Sequence, residues 1–402
     1  GFNCTPNLFF MLRDLEAPGA LVQAAKQVAT AHFEVIFMAT GPDSTSLQML
    51  NNSLVSAAGV KLRQHVLLLA DSLETCEAVR DPHCYWSSRM LVQPPSDTIV
   101  TRKFWDWRFK FYFIKKLYIA RLVQSGFGVL QIDTDTIWQH DPFPMLRLMA
   151  ARSSIVVMKD IGLANAGIIF ARPGSADAQR LLDDVAWRVQ LLQNHPEVIP
   201  RLVPFTKALR PPFYANSDDQ SLLNDVIVSA VLRNATFLGS TARYEAKNKY
   251  NTNPDVPVWE TLPESKLHSQ QLRQMHRKGR SGVVAVPWAR DGERTARYTM
   301  LPIADNDSVA LAPRALFAHL PFAHSNAITH LTAARGFKAK VKALQRLGRW
   351  HPEGLSDSST PLRPHHSATV GDRGEASIDW RGMARKWRDG LAASKPIAAL
   401  RG

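Results

Sequence analysis

The run Val129-Leu130-Gln131-Ile132-Asp133-Thr134-Asp135-Thr136-Ile137-Trp138 constrains this chain more than any other stretch. It reads as a buried β-strand that delivers two carboxylates, two residues apart, to its C-terminal end. In an extended chain, residues i and i+2 project to the same side. Asp133 and Asp135 are therefore expected to converge on one hard cation, and an all-oxygen approach suits Mg²⁺ or Mn²⁺. A divalent ion held this way is a receptor for a diphosphate.

The flanking sequence alternates strands and helices. Phe33–Thr40 reads as a strand closed by Gly41-Pro42. Ser44 then offers an N-cap for a helix with Leu47, Leu50, Leu54 and Val55 on one face, ended by Gly59. Val66–Ala70 is a second buried strand, and Asp106–Ser125 a long amphipathic helix stopped at Gly126. After Asp135, Ser154–Met158 and Ala166–Phe170 read as strands, and Ser175–Gln193 and Ser217–Leu232 as helices. This alternation predicts an α/β fold with a mostly parallel sheet flanked by helices and ligands at the strands' carboxyl ends.

Residues 1–350 are expected to form one large domain, with a polar, proline-interrupted insertion over about 251–297. Residues 351–402 read as a basic, partly disordered tail. From Leu331 onward there are 14 Lys plus Arg against 6 Asp plus Glu, a concentrated part of the net charge of +14. Such an excess favours anionic partners. No apolar run reaches the ~18 residues of a spanning helix. The chain begins at Gly1 rather than Met, which reads as the body of a longer precursor with a lost N-terminal membrane anchor.

Three cysteines are too few for a disulfide scaffold, although Cys76 and Cys84 are close enough to bridge, leaving Cys4 unpaired. Asn3, Asn51, Asn234 and Asn306 open glycosylation sequons, which together tilt toward a secretory lumen.

Four further clusters carry chemistry. Asp160 and the small-residue stretch Asn165-Ala166-Gly167 allow close approach of backbone and amide to sugar hydroxyls. Ser217-Asp218-Asp219-Gln220 is a capping box whose Asp219 and Gln220 are also candidates to lie over a reactive carbon. His319, His324 and His330 precede Lys338 and Lys340, so a histidine can complete a metal shell while a lysine holds a diphosphate. Upstream, Lys115 and Lys116 sit where a helix could aim one cation at the same phosphates.

In the order they occur, these elements resemble the nucleotide-diphospho-sugar transferase family of plants and algae, glycosyltransferases with the GT-A fold. The resemblance rests on Gly126–Trp138 with Asp141-Pro142, on Asn165–Arg172, on Asp219-Gln220 through Asn224, and on His330 and Lys340–Trp350. It implies Mn²⁺ or Mg²⁺ bound by Asp133, Asp135 and His330, with His319 the competing histidine. It further implies phosphate contacts from Lys116 and from Lys338 or Lys340, and a donor-sugar site lined by Asp160, Asn165, Gly167, Asp219 and Gln220. The implied partners are a UDP-sugar donor and a glycan or glycoprotein acceptor, the implied outcome is retention, and the implied location is the Golgi lumen as a type II membrane protein.

Two other classes fit parts of the sequence. Asp133-Thr134-Asp135-Thr136 also matches the nucleophile motif of haloacid-dehalogenase-type phosphatases, with Lys159 and Asp218-Asp219 in supporting roles. That motif ordinarily opens its domain, whereas two strand-helix units precede it here. A nucleic-acid-binding role would explain the basic tail, but no recognisable RNA or DNA module accompanies it.

Overall fold

The computed structural model describes residues 13–91, 107–151, 154–159, 164–194, 219–220, 222–223, 226, 283–287, 295–299, 309–312, 317–319, 327–331, 334 and 336–351. Helix α1 (Ala20–Val28) precedes strand β1 (Glu34–Thr40), helix α2 (Ser44–Gly59) and strand β2 (Val66–Ala70). Helix α3 (Leu73–Val79) and strand β3 (Cys84–Tyr85) follow, then helix α4 (Trp107–Gln124) and strands β4 (Gly128–Ile132) and β5 (Thr136–Trp138). Helix α5 (Phe143–Ala150), strands β6 (Ile155–Lys159) and β7 (Ala164–Ala171) and helix α6 (Ala176–Asn194) come next. The last elements are β8 (Val283–Pro287), β9 (Thr295–Thr299), β10 (Val309–Ala312), β11 (Phe317–His319), β12 (Ile328–His330) and helix α7 (Phe337–Arg346).

A seven-stranded sheet runs in the order β10-β6-β7-β4-β1-β2-β3. The β1–β2, β1–β4, β2–β3 and β6–β10 pairs are parallel, and only β7 runs against its neighbours β4 and β6. This is the expected mostly parallel α/β sheet. Its strands are apolar on both faces, as a helix-covered sheet requires. Val35, Phe37, Leu67, Leu69 and Val129 pack with α1, α4 and α6 on one side. Ile36, Met38, Leu68, Leu130 and Ile132 pack with α2 and α5 on the other. The one-residue alternation thus sorts each strand onto two cores.

Three local expectations change. Val129–Trp138 is not one strand: β4 ends at Ile132, the chain turns over Asp133–Asp135, and β5 leaves for a second sheet of order β11-β12-β5. The cap of α2 is Asp43, whose carboxylate accepts from the Ser46 amide at 2.9 Å, so Ser44 is already helical. Helix α4 is not amphipathic in the usual sense. Between Phe111 and Val123 it is buried on nearly all sides, with Tyr112 the exposed exception.

Other features match. The Phe127 amide donates to the Leu122 carbonyl at 3.1 Å across Gly126, whose φ of +91° only glycine adopts cheaply. Cys76 and Cys84 form a disulfide that ties α3 to β3. The Asn51 sequon falls inside α2, where the fully buried Ser53 hydroxyl lies 3.0 Å from that of Thr136 and accepts from the Trp138 indole at 3.2 Å. The antiparallel pair β8–β9 begins inside the expected insertion and ends just past it, at Thr299; the rest of that insertion, the expected tail after His351, Cys4, Asn3, Asn234, Asn306, Asp160, Ser217, Asp218 and His324 lie outside the described residues. Among the described residues, no helix is long and apolar enough to cross a membrane.

Candidate active site

The site grows from the reversal of β7. Because β7 runs against β4, its first residues lie beside the carboxyl end of β4, with Ile132 paired to Ile168. The Asp133 amide donates to the Gly167 carbonyl at 2.8 Å, which starts the turn away from the sheet. On its other edge β7 departs from β6: the register jumps so that Val157 faces Ile169 while Met158 faces Asn165. The irregularity lets Asn165 fold back, its side-chain oxygen accepting from the Gly167 amide at 2.8 Å.

His330 arrives from the far end of the chain through β12. The antiparallel β5–β12 pairing sets His330 opposite Thr136, and the Leu331 amide donates to the Asp135 carbonyl at 3.0 Å. His330 Nε2 lies 3.0 Å from Asp135 Oδ1 and 3.9 Å from Asp133 Oδ2. His319 pairs in register with His330, one strand further from the aspartates.

The three ligand atoms of Asp133, Asp135 and His330 all lie within 4.8 Å of one another. This donor set, two carboxylates and one imidazole, suits Mn²⁺ or Mg²⁺. Gly167 forms the floor beneath it. A Cβ there would fall 2.4 Å from His330 Cε1 and 2.6 Å from Asp133 Oδ2. The residues present therefore fit a divalent ion.

Cations already surround these carboxylates. Lys340, on the first turns of α7, places Nζ 2.5 Å from Asp135 Oδ2, and Lys115 Nζ lies 2.8 Å from Asp133 Oδ1. Burial would raise the Asp135 carboxyl, but His330 and Lys340 outweigh it and hold it well below the carboxylate range. Burial would likewise lower the His330 imidazole, yet Asp135 raises it on balance.

Lys115 and Lys116 divide their work. Lys115 bridges Asp133 and Asp219, the latter at 3.2 Å, and the two carboxylates raise its pKa against burial. Lys116 is fully buried, donates to Gln131 Oε1 and to the Ala166 carbonyl at 2.7 Å, and stands 3.4 Å from the same Asp219 oxygen. Burial and the neighbouring Lys115 bring it down to about 8 despite that carboxylate. Asp219 Oδ2 makes these contacts as ion pairs, without the direction of a hydrogen bond. Its own carboxyl is pushed up by burial and down, more strongly, by the two lysines.

A cavity of about 270 Å³ opens over this cluster. Its walls are Ala39–Gly41 at the end of β1, Thr45, Ser46 and Met49 of α2, Phe111, Tyr112 and Lys115 of α4, the turn Asp133–Asp135, Gly336 at the cap of α7, and Phe337 and Lys340 of that helix. Tyr112 is 39% exposed, and the Lys115 ammonium sits 5.1 Å from its ring centre.

Sequence reasoning placed Asp133, Asp135, His330, Gly167 and Lys340 in one cluster, and the structure brings them together. Lys116, expected as the phosphate contact, is instead a buried strut, and Lys115 takes the cavity wall. Lys338 is exposed and outside that wall. Asn165, Asp219 and Gln220 do not line the cavity either. Gln220 Oε1 accepts from Asn165 Nδ2 at 3.2 Å and from the Ala166 amide at 3.4 Å, which supports the β7 loop from behind. Gln131 is the one polar side chain in β4, a signal that a lone amide in an apolar strand has partners to find. It links Lys116, Ala166 and Asp133, its Nε2 donating to the Ala166 carbonyl at 2.7 Å.

Residues 62–245 match the model of the nucleotide-diphospho-sugar transferase family, the one the motifs resemble. Among curated proteins, the UDP-D-xylose:L-fucose alpha-1,3-D-xylosyltransferase of Arabidopsis thaliana is 29% identical over 128 residues, covering 31% of this chain and 33% of that protein. The MGP4 enzyme of the same name and organism is 28% identical over 129 residues, 32% of this chain and 34% of its own. This chain thus spans about a third of the length of the curated relatives it matches. Among solved structures, the apo mouse xyloside xylosyltransferase 1 overlays with a TM-score of 0.25 at 10% identity, covering 60% of this chain and 93% of that one. The apo WbbM bifunctional glycosyltransferase gives a TM-score of 0.30 at 11% identity, over 78% of this chain and 50% of that one. The matched family being one of sugar transferases, the phosphohydrolase reading of Asp133 gains no support.

Proposed function

We propose that this chain, which carries nucleotide-diphospho-sugar transferase sequence over residues 62–245, moves a sugar from a UDP-sugar to a hydroxyl of a glycan or glycoprotein, with retention at the anomeric carbon. The observation that carries this reading is that Asp133, Asp135, Lys115 and Lys340 line one cavity at the carboxyl ends of β1 and β4, with His330 buried behind the two aspartates and within reach of the same ion. The two carboxylates and the imidazole suit a divalent cation, and that cation together with the two ammonium groups would suit a diphosphate. The Asp133–Asp135 turn sits at the strand-end crevice where open α/β sheets bind ligands.

Asp133, Asp135 and His330 would hold Mn²⁺ or Mg²⁺, which when bound supplies Lewis-acid stabilisation of charge on the leaving diphosphate. Lys340 and Lys115 bring two cations to the same region and stabilise the negative charge that grows as the glycosidic bond breaks. Asp219 anchors Lys115, and Gln220 with Asn165 fixes the β7 loop, so these three act by positioning. Tyr112 and Phe111 give one wall an apolar surface against which a sugar or base can pack. The curated relatives named above use UDP-D-xylose, which makes it the first donor to assay. The Cys76–Cys84 disulfide fits an oxidising lumenal compartment, for which the Golgi is our reading.

Calorimetric titration with UDP, with and without Mn²⁺, tests the reading on wild type and Asp135→Ala. Metal-dependent UDP binding that the substitution abolishes is the expected result. Wild type that ignores UDP while releasing phosphate from a generic phosphomonoester would refute it.

A further inference from the structure

Lys340 stands at an unusual place for a phosphate contact. Its ammonium already occupies one oxygen of Asp135 at 2.5 Å, while the other oxygen takes His330 at 3.0 Å. The same carboxylate cannot serve Lys340 and a divalent cation equally. Like charges a few ångströms apart repel strongly in a half-buried site, and the Asp135 and Lys340 side chains are only 14% and 25% exposed. Lys115 repeats the pattern on Asp133 at 2.8 Å.

Helix α7 holds Lys340 between Asp135 and the cavity. Its body is fixed: Leu344 is buried with Met49, Ile137 and Leu331, and Phe337 meets Trp350 edge to face at 6.1 Å between ring centres. Its start is at Gly336, with φ +82° and ψ 159°, a backbone state open essentially to glycine alone. The flexible four-carbon stem of Lys340 lies along the cavity wall, so its ammonium can trade Asp135 for an anion inside the cavity without moving the helix.

We infer that Lys340 is an internal counter-ion that makes divalent-metal and nucleotide binding cooperative. With no anion in the cavity, Lys340 holds Asp135 and opposes a second cation there. With a diphosphate present, Lys340 transfers to it, and Asp135 is released to the metal. By linkage, each ligand then raises the affinity for the other by the same factor. The nucleotide half of this inference rests on the transferase reading; the metal half does not.

The test is Mn²⁺ binding followed by the electron paramagnetic resonance of free Mn²⁺, without and with UDP, on wild type, Lys340→Met and Lys340→Arg. For Lys340→Met, affinity for Mn²⁺ alone rises about tenfold, and the further gain from UDP becomes about tenfold smaller than in wild type, leaving only what direct attraction between metal and diphosphate supplies. Lys340→Arg keeps the charge and behaves as wild type, which separates loss of charge from damage to the fold. Lys340→Met binding Mn²⁺ no tighter than wild type, or no Mn²⁺ binding by any of the three, overturns the inference. Tighter Mn²⁺ binding by Lys340→Met with no UDP binding by any variant upholds the counter-ion and defeats the transferase reading. Normal metal-dependent UDP binding with unchanged Mn²⁺ affinity does the reverse.

Discussion

Gly167→Ala is the substitution that most directly examines the proposed metal site, because its added atom presses hardest on two of the three proposed ligands. The new Cβ would lie 2.4 Å from His330 Cε1, 2.6 Å from Asp133 Oδ2 and 2.9 Å from Asn165 Oδ1. An ordinary carbon contact is ~3.5 Å or more, so the imidazole must retreat by about 1 Å. His330 is 2% exposed and pinned through β12 to Thr136, which leaves it little room. Overpacking of this kind costs ~1–3 kcal/mol, which lowers the melting temperature by a few degrees in a chain of this size. The effect on metal is larger, since metal sites tolerate ligand displacements of only ~0.2 Å. Mn²⁺ affinity should fall by roughly 100-fold or more, beyond what loss of an outer-sphere partner causes. Gly174→Ala is the control: its φ of +64° makes alanine costly, but no atom lies within 4 Å of the added carbon. Thermal melts and Mn²⁺ titrations of both variants should separate the two. Gly167→Ala binding Mn²⁺ within threefold of wild type would falsify the assignment of Asp133 and His330 as ligands of one ion.

Two predictions concern the frame around the site. Glu34, at the foot of β1, is 1% exposed and takes Arg147 Nε at 2.9 Å and Nη2 at 2.6 Å. Arg147→Ala leaves that carboxylate buried with Thr30 Oγ1 as a donor at 3.1 Å. A loss of ~2–3 kcal/mol is expected, at the low end for a broken buried pair because water can follow the half-exposed arginine out. It should appear as a lower urea midpoint at constant slope, and an unchanged midpoint would count against it. Burial works to raise Glu16, but the Tyr118 hydroxyl, Arg121 and Arg89 hold it below its ordinary value of 4.5. A depressed carboxyl contributes stability that is complete above the unfolded value and lost as pH falls through the folded one. Melting temperatures from pH 6 down to about pH 3 should therefore fall more steeply for wild type than for Glu16→Gln; parallel profiles would dismiss the role of Glu16.

What the sequence made legible was local, and what it hid was long-range. Strands β1 and β2 announce themselves because an apolar run between turn-formers has few other uses. The end of β4 at Ile132 does not. Thr136-Ile137-Trp138 has the same strand character as Val129–Ile132, and only its pairing with β12, nearly two hundred residues later, draws it out of the main sheet. The two aspartates still converge, but because a turn gathers them rather than because an extended strand aligns them. The choice between Lys115 and Lys116 was hidden for another reason. Adjacent residues on a helix differ by about 100° in direction, and α4 is buried almost all round, so no polar face in its sequence gives the phase. Gln131 was open to notice, since a lone amide inside an apolar strand needs partners.

The family match ends at residue 245, yet two of the five charged groups at the site, His330 and Lys340, lie beyond it. What joins them to the aspartates is the three-residue ladder between β5 and β12 and the small core of Met49, Ile137, Leu331 and Leu344 beneath α7. Ile137 belongs to both: it is the residue between Thr136 and Trp138 in β5, and it packs against Leu331 and Leu344. The turn that releases Asp133–Asp135 from the main sheet is thus the same feature that creates the docking strand for the C-terminal histidine and lysine. A continuous strand through Trp138 would have left no edge for β12, and neither the histidine nor the lysine would reach the carboxylates. The break after Ile132 is therefore what assembles the site from two distant parts of the chain.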